Sequence, residues 1–217
     1  MSDLHQDQHP FLDFVKKNQK ALTYTLVLAI VLIGGFFGYS ELYQKPREAK
    51  AADAIFMAEK YFANDSSNFV LNGDGTSKGV LYIMKEYSGT KAANLSKYYA
   101  GISYFRLNDF NKSIEYLKDF TTNAKQVQAI AYGTMGDAYA ELKKNDDAVT
   151  YYKKAGEYFP EDEAISSEYL FRAASFLELN GKNDEAIALY NTIKNKYPKS
   201  EKGFMADKYI NRLKIQP

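Results

Sequence analysis

The chain has 217 residues, with 28 basic against 27 acidic side chains and no cysteine. The missing cysteine excludes disulfides, thiolate metal sites and a lipidated N-terminal Cys, and leaves the redox compartment open. After residue 39 the balance is 25 basic to 24 acidic without a basic block, so charge gives no argument for a nucleic-acid partner.

Residues 1–20 read as a short tail that holds both histidines, His5 and His9. Ala21 to Tyr39 (ALTYTLVLAIVLIGGFFGY) then runs for 19 residues without a charge. At about 1.5 Å per residue a helix of this length crosses a hydrocarbon core about 30 Å thick. The rival reading is a cleaved signal peptide, but the run leaves through Gly-Phe-Phe-Gly-Tyr-Ser with no small-x-small pair at a plausible cleavage position. A buried core helix would show a polar face, which this run lacks. Lys16, Lys17 and Lys20 abut the start of the run, whereas Lys45, Arg47 and Lys50 begin further from its end. That proximity predicts a retained single-pass anchor with the N-terminus in the cytoplasm and residues 40–217 outside it. Gly34-x-x-x-Gly38 allows a close helix-helix contact within the membrane.

Residues 40–90 read as a linker helix and an incomplete first hairpin. Arg47 to Phe62 is predicted helical, with Ala51, Ala52, Ile55, Phe56, Ala58 and Phe62 as packing residues. Asn64 to Gly75 reads as the one long loop and Ser77 to Tyr87 as a short closing helix. Within the loop, Asn72-Gly73-Asp74-Gly75 lacks the regular oxygen ligands and terminal Glu of a calcium loop, and reads as a turn.

From residue 91 to the end the sequence repeats. Pro160 and Pro198, Ala148 and Ala186, and Tyr152 and Tyr190 are pairs at one spacing of 38. Asp147-Ala148-Val149-x-x-Tyr152 and Glu185-Ala186-Ile187-x-x-Tyr190 set a small residue and an aromatic four apart on one helical face, which lets a preceding helix approach over the alanine. Each follows a polar break and an earlier apolar-periodic helix, so the unit is a helix hairpin. Gly101-x-x-Tyr104 and Ser113-Ile114-x-x-Leu117 form an upstream copy at an offset of 35. The larger later offset predicts a lengthened helix near residues 162–179. Ser200 to Leu213, with Phe204, Met205, Tyr209 and Leu213, reads as the capping helix.

These residues resemble the tetratricopeptide repeat, a helical hairpin of about 34 residues. The middle copy carries Tyr132, Met135, Gly136, Tyr139, Ala148, Tyr152, Ala155 and Pro160 at pattern positions. The resemblance implies an all-α solenoid of hairpins behind a single N-terminal transmembrane helix.

The predicted function is binding rather than catalysis, with no cofactor. No His or Cys follows the anchor, and Asp146-Asp147, Glu161-Asp162-Glu163 and Asp184-Glu185 sit at helix starts, where carboxylates favour the helix dipole. Most tyrosines read as hairpin packing. In the repeat alignment the first helix of each hairpin turns Tyr98, Ile102, Phe105 and Arg106, then Asp137 and Glu141, then Phe171 and Glu178 toward a concave face. An apolar groove with acidic flanks suits an extended or helical protein segment. The alternative, that these residues only contact the next helix of the stack, stays open.

Phe14-x-x-x-Asn18-x-Lys20-Ala21-Leu22, the single anchor and the repeats together resemble the membrane-anchored ancillary subunit of the bacterial Sec translocon. The resemblance implies an inner-membrane protein with its repeats in the periplasm. It also implies the translocon and a membrane-anchored chaperone of the prolyl-isomerase type as partners, and a role in passing exported chains onward. Tyr197-Pro198-Lys199-Ser200 is also similar to repeats of outer-membrane assembly lipoproteins and of a cell-division coordinator, though the lipidated Cys of the former is missing. A scaffold of another envelope machine is therefore the second reading.

Overall fold

The computed structural model describes residues 10–215, which form helices and no strand. They divide into two compact units, one up to Ala49 and one from Lys50. His5 and His9 lie outside the described residues.

In the first unit, α1 (Pro10–Lys17) and α2 (Gln19–Tyr39) meet at Asn18, whose side-chain amide donates to the Phe14 carbonyl at 2.9 Å. No residue of α2 is buried, and the helix is long and apolar enough to cross a membrane. Thr23 and Thr25 donate to the carbonyls of Gln19 and Ala21 at 2.8 and 2.9 Å, so their hydroxyls are satisfied within the helix as an apolar surrounding requires. A Cβ built on Gly34 or Gly38 meets nothing within 4 Å. Ser40–Gln44 is a π-helical turn, which the sequence reading does not anticipate. Pro46 explains it: its ring would clash with the carbonyl four residues earlier and it has no N–H to donate, so the helix widens just upstream.

The remaining helices are α3 (Lys45–Ala63), α4 (Ser67–Asn72), α5 (Val80–Glu86), α6 (Lys91–Arg106), α7 (Phe110–Lys118), α8 (Lys125–Glu141), α9 (Asn145–Tyr158), α10 (Glu163–Leu179), α11 (Asn183–Lys196) and α12 (Glu201–Ile215). Three hairpins, α6–α7, α8–α9 and α10–α11, turn in the same way. Asn108, Lys143 and Gly181 take left-handed φ values of 61°, 60° and 72°. The N–H of the following residue then returns to the carbonyl of Tyr104, Tyr139 or Leu177 at 2.9 Å, closing the helix end. Asp65, at φ 54°, makes the same turn between α3 and α4, with Ser66 N–H donating to Tyr61 at 2.9 Å. The segment read as the long loop therefore contains a helix, α4, whose Val70 and Leu71 are buried with Ile55, Val80 and Ile83. Asp74 closes the short remainder: one oxygen accepts from Thr76 and Ser77 N–H and the other from the Tyr61 hydroxyl at 2.6 Å, so the segment is a turn.

Within each repeat hairpin a small residue admits a large one. A Cβ on Gly101 would lie 2.4 Å from Leu117 Cγ, and one on Gly136 would lie 2.6 Å from the Tyr152 ring. The third hairpin sets Ala174 in one core cluster with Tyr190, both fully buried. Carboxylates take the predicted places at helix starts. Asp162 caps α10 by accepting from Ile165 N–H at 3.0 Å, and Asp146, Asp147, Asp184 and Glu185 occupy first turns.

Three expectations are corrected. The 38-residue spacing does not come from a longer α10, which at 17 residues matches α8. It comes from the second helix of the hairpin, 14 residues in α9 against 9 in α7, partly offset by a shorter connector to the next hairpin. On α3, Ala51, Ile55 and Ala58 are buried but Ala52 is exposed and Phe56 is 64% exposed. On α12, Leu213 is buried but Phe204 is 77% exposed, because Gly203, Ala206 and Ile210 form the packed stripe.

The first repeat hairpin buries three hydroxyls where the second has methyl groups. Ser96, Ser103 and Ser113 are fully buried and their hydroxyls have no hydrogen-bond partner. The equivalent residues of the second hairpin, 35 further on, are the fully buried Ala131, Ala138 and Ala148. A buried polar group without a partner costs about 1–3 kcal/mol. Each Ser→Ala change is therefore expected to stabilise by about 1 kcal/mol, and the triple variant to raise the unfolding temperature by roughly 6–12 °C. A lower melting temperature in a thermal scan would mean that the hydroxyls find partners in solution.

Candidate protein-binding face

The first helices of the hairpins form one continuous layer. The backbones of α6 and α8, of α8 and α10, and of α10 and α12 approach within 8 Å, whereas those of α7, α9 and α11 stay further apart from one another among the described residues. The closely spaced layer is the inner side of the stack, where side chains from successive repeats converge.

On α6, Tyr98, Ile102 and Phe105 are half-buried and belong to the cluster around Leu117, Phe120 and Met135. The Tyr98 ring lies 5.3 Å from Phe120 and 6.2 Å from Phe62, and Phe105 lies 5.6 Å from Phe110. Their edges support α7 and α3 while the remainder faces outward. Arg106 is held at the end of the row, 4.5 Å above the Phe62 ring, 3.0 Å from Asp65 and donating to the Phe62 carbonyl at 3.4 Å.

Two of the three acidic flanks, Asp137 and Glu178, are paired within the fold. Asp137 accepts from Arg172 at 2.7 Å and from the Tyr152 hydroxyl at 2.8 Å. Glu178 accepts from Arg212 with both oxygens, at 2.6 and 2.8 Å, and Arg212 lies 4.9 Å from the Tyr209 ring. Glu141 is exposed at the end of α8. Phe171 packs edge-to-face on Tyr209 at 4.8 Å, with Lys202 5.0 Å from its ring. Lys202 and Arg172 share Glu168 at 3.3 and 2.9 Å. Burial lowers the Arg172 pKa, but hydrogen bonds and charge from Glu168 and Asp137 outweigh it and hold the guanidinium above its ordinary value. Tyr169 is pushed up to about 12 by burial and then by the charge of Asp137, so it stays a neutral phenol at any physiological pH.

The sequence reading therefore finds the row on α6 and misses Tyr169, Arg172, Lys202 and Arg212. Glu168 and Arg172, four apart on one helix, are a visible pairing signal. Tyr169 had only an indirect one: Gly133 stands where the first repeat has Tyr98, and a Cβ there would lie 2.1 Å from the Tyr169 ring. The missing side chain makes room for a ring from the next repeat. Chemically, the face offers half-buried rings beside charges that are paired inside the fold, apart from the exposed Glu141.

Two overlapping segments, residues 98–163 and 134–201, match the family model described as tetratricopeptide repeat. No curated protein matches the chain. Sequence match and helix stacking agree, and residues 98–201 are built of tetratricopeptide repeats, the architecture of a protein-interaction scaffold.

Proposed function

We propose that the chain is a membrane-anchored scaffold whose inner repeat face, centred on Tyr98, Ile102 and Phe105 with Phe171 beyond, takes an apolar segment of a partner protein. The observation that supports this most is the internal pairing of Arg106, Asp137 and Glu178, which leaves the half-buried rings, with Glu141 beside them, as the recognising groups. The absence of any buried residue on α2 supports anchoring, and the lysines before it support an N-terminus in the cytoplasm with residues 40–217 in the periplasm. The resemblance around Phe14 to Leu22 supports an ancillary place at the translocon of a bacterial inner membrane, handing exported chains to a membrane-anchored chaperone. Gly34 and Gly38, with open space above them, are the proposed helix-packing site within the membrane.

Crosslinking in intact cells followed by purification in mild detergent tests the partner. Translocon components should be recovered with the chain. Recovery of outer-membrane assembly or wall-synthesis proteins instead would favour the second reading, for which the Tyr197-Pro198-Lys199-Ser200 element speaks. Protease added after opening the outer membrane should digest the repeats. Protection until the inner membrane is lysed would reverse the orientation.

A further inference from the structure

We infer that Tyr39, Leu42, Tyr43 and Arg47 form a phospholipid-binding surface that lies in the headgroup layer of the bilayer. This surface presupposes that α2 spans a membrane, and it carries the lipid contact past Tyr39, where the charge-free run ends.

Two sets of groups fix the depth from opposite sides. Leu42 is 84% exposed, the highest value for a large apolar side chain among the described residues, and Tyr39 and Tyr43 are each more than half exposed. No residue of the turn Ser40–Gln44 is buried. Bulk water would leave all of this apolar surface uncovered. The hydrocarbon core is excluded from the other side. Glu41 and Lys45 form an ion pair four residues apart and both stay more than half exposed, a costly arrangement among acyl chains. Pro46 supplies no N–H, so the helix here has one donor fewer than an unbroken one, and acyl chains cannot replace it. The headgroup layer accepts both sets: apolar and aromatic bodies toward the acyl chains, charges and backbone among phosphates and water.

The groups are also ordered as a phospholipid is. The Tyr39 and Tyr43 rings lie 5.2 Å apart, and the Arg47 guanidinium lies 5.7 Å from the centre of the Tyr43 ring. The three follow at intervals of four residues, with the cation at the end away from α2. Phenol hydroxyls suit the ester carbonyls at the acyl boundary, and a guanidinium beyond them suits the phosphate. Lys45 meets the Glu41 charge, so the one carboxylate of the turn is compensated before it faces phosphate.

The test exploits the absence of cysteine. Ile30→Cys, Leu42→Cys and Phe204→Cys, all at exposed positions, each place one nitroxide on the full chain. Nanodiscs holding a single chain contain no other protein, so lipid alone can shield the label. Collisions with a water-soluble nickel chelate and with oxygen then report depth. At Leu42 the nickel collision rate should be about fourfold below that at Phe204 and clearly above that at Ile30. Adding Tyr39→Ser, Tyr43→Ser and Arg47→Gln should raise nickel collisions at Leu42 about twofold as the turn leaves the headgroups. A Leu42 label as accessible as the one at Phe204, with Ile30 shielded, would overturn the lipid-binding surface and leave the span intact. A Leu42 label as shielded as Ile30, or a depth unchanged by the triple substitution, would overturn it too. Full nickel access at Ile30 would overturn the span itself and this surface with it.

Discussion

Gly156→Ala is expected to lower the unfolding temperature by roughly 4–8 °C, although alanine is the better helix former by about 1 kcal/mol. Gly156 is buried on α9 where α10 crosses it. An added Cβ would lie 2.7 Å from Leu170 Cγ, 2.9 Å from the Ser166 carbonyl oxygen and 3.0 Å from Leu170 N. Two of these three are backbone atoms, so no change of side-chain rotamer relieves the contact and the helices must separate. Ser166 resists, since it is fully buried and its hydroxyl donates to the Phe159 carbonyl at 2.9 Å. Overpacking of about 3 kcal/mol exceeds the gain in helix propensity and leaves a net loss of about 2. Calorimetry of the purified chain measures it. An unchanged or higher melting temperature would show that α9 and α10 have room to spare.

Replacing Tyr98 and Phe105 together with alanine is expected to damage both stability and partner capture. Removing fully buried rings costs about 3–5 kcal/mol each. Both rings are half-buried here, packed on Phe120 and Phe110, so a combined loss of about 3–4 kcal/mol follows, or roughly 6–16 °C. If the outward parts of the rings hold a partner, crosslinked species should also disappear at a temperature where the variant is still folded, because interface energy concentrates in such anchors. Capture that persists in the folded variant would remove this row from the proposed site. A variant that keeps its full stability would contradict the packing on Phe120.

The candidate row was legible on α6 because a whole series of apolar residues lies there at helical spacing, and a row survives errors of one residue. Asp137 and Glu178 were legible as positions but not as states. Each is a carboxylate facing inward, yet its partner comes from a different helix, 35 residues away in Arg172 and 34 in Arg212. Pairing across repeats depends on how far successive hairpins rotate, and no local spacing records that rotation.

The sequence by itself determined the hairpin unit, the turns, the helix caps and an apolar run long enough for a membrane. All of these rest on short-range chemistry: a left-handed residue after each first helix, a carboxylate at a helix start, a small residue four before an aromatic, and the absence of charge over 19 residues. The tertiary structure alone decided which apolar residues are buried and which charges are free. Phe56 and Phe204 carry the side chain of a core residue but fall off the stripe that the next helix covers, and Gly133 is empty so that Tyr169 can reach across it. The physical reason is that burial is a property of two surfaces, and one helix's sequence specifies only its own.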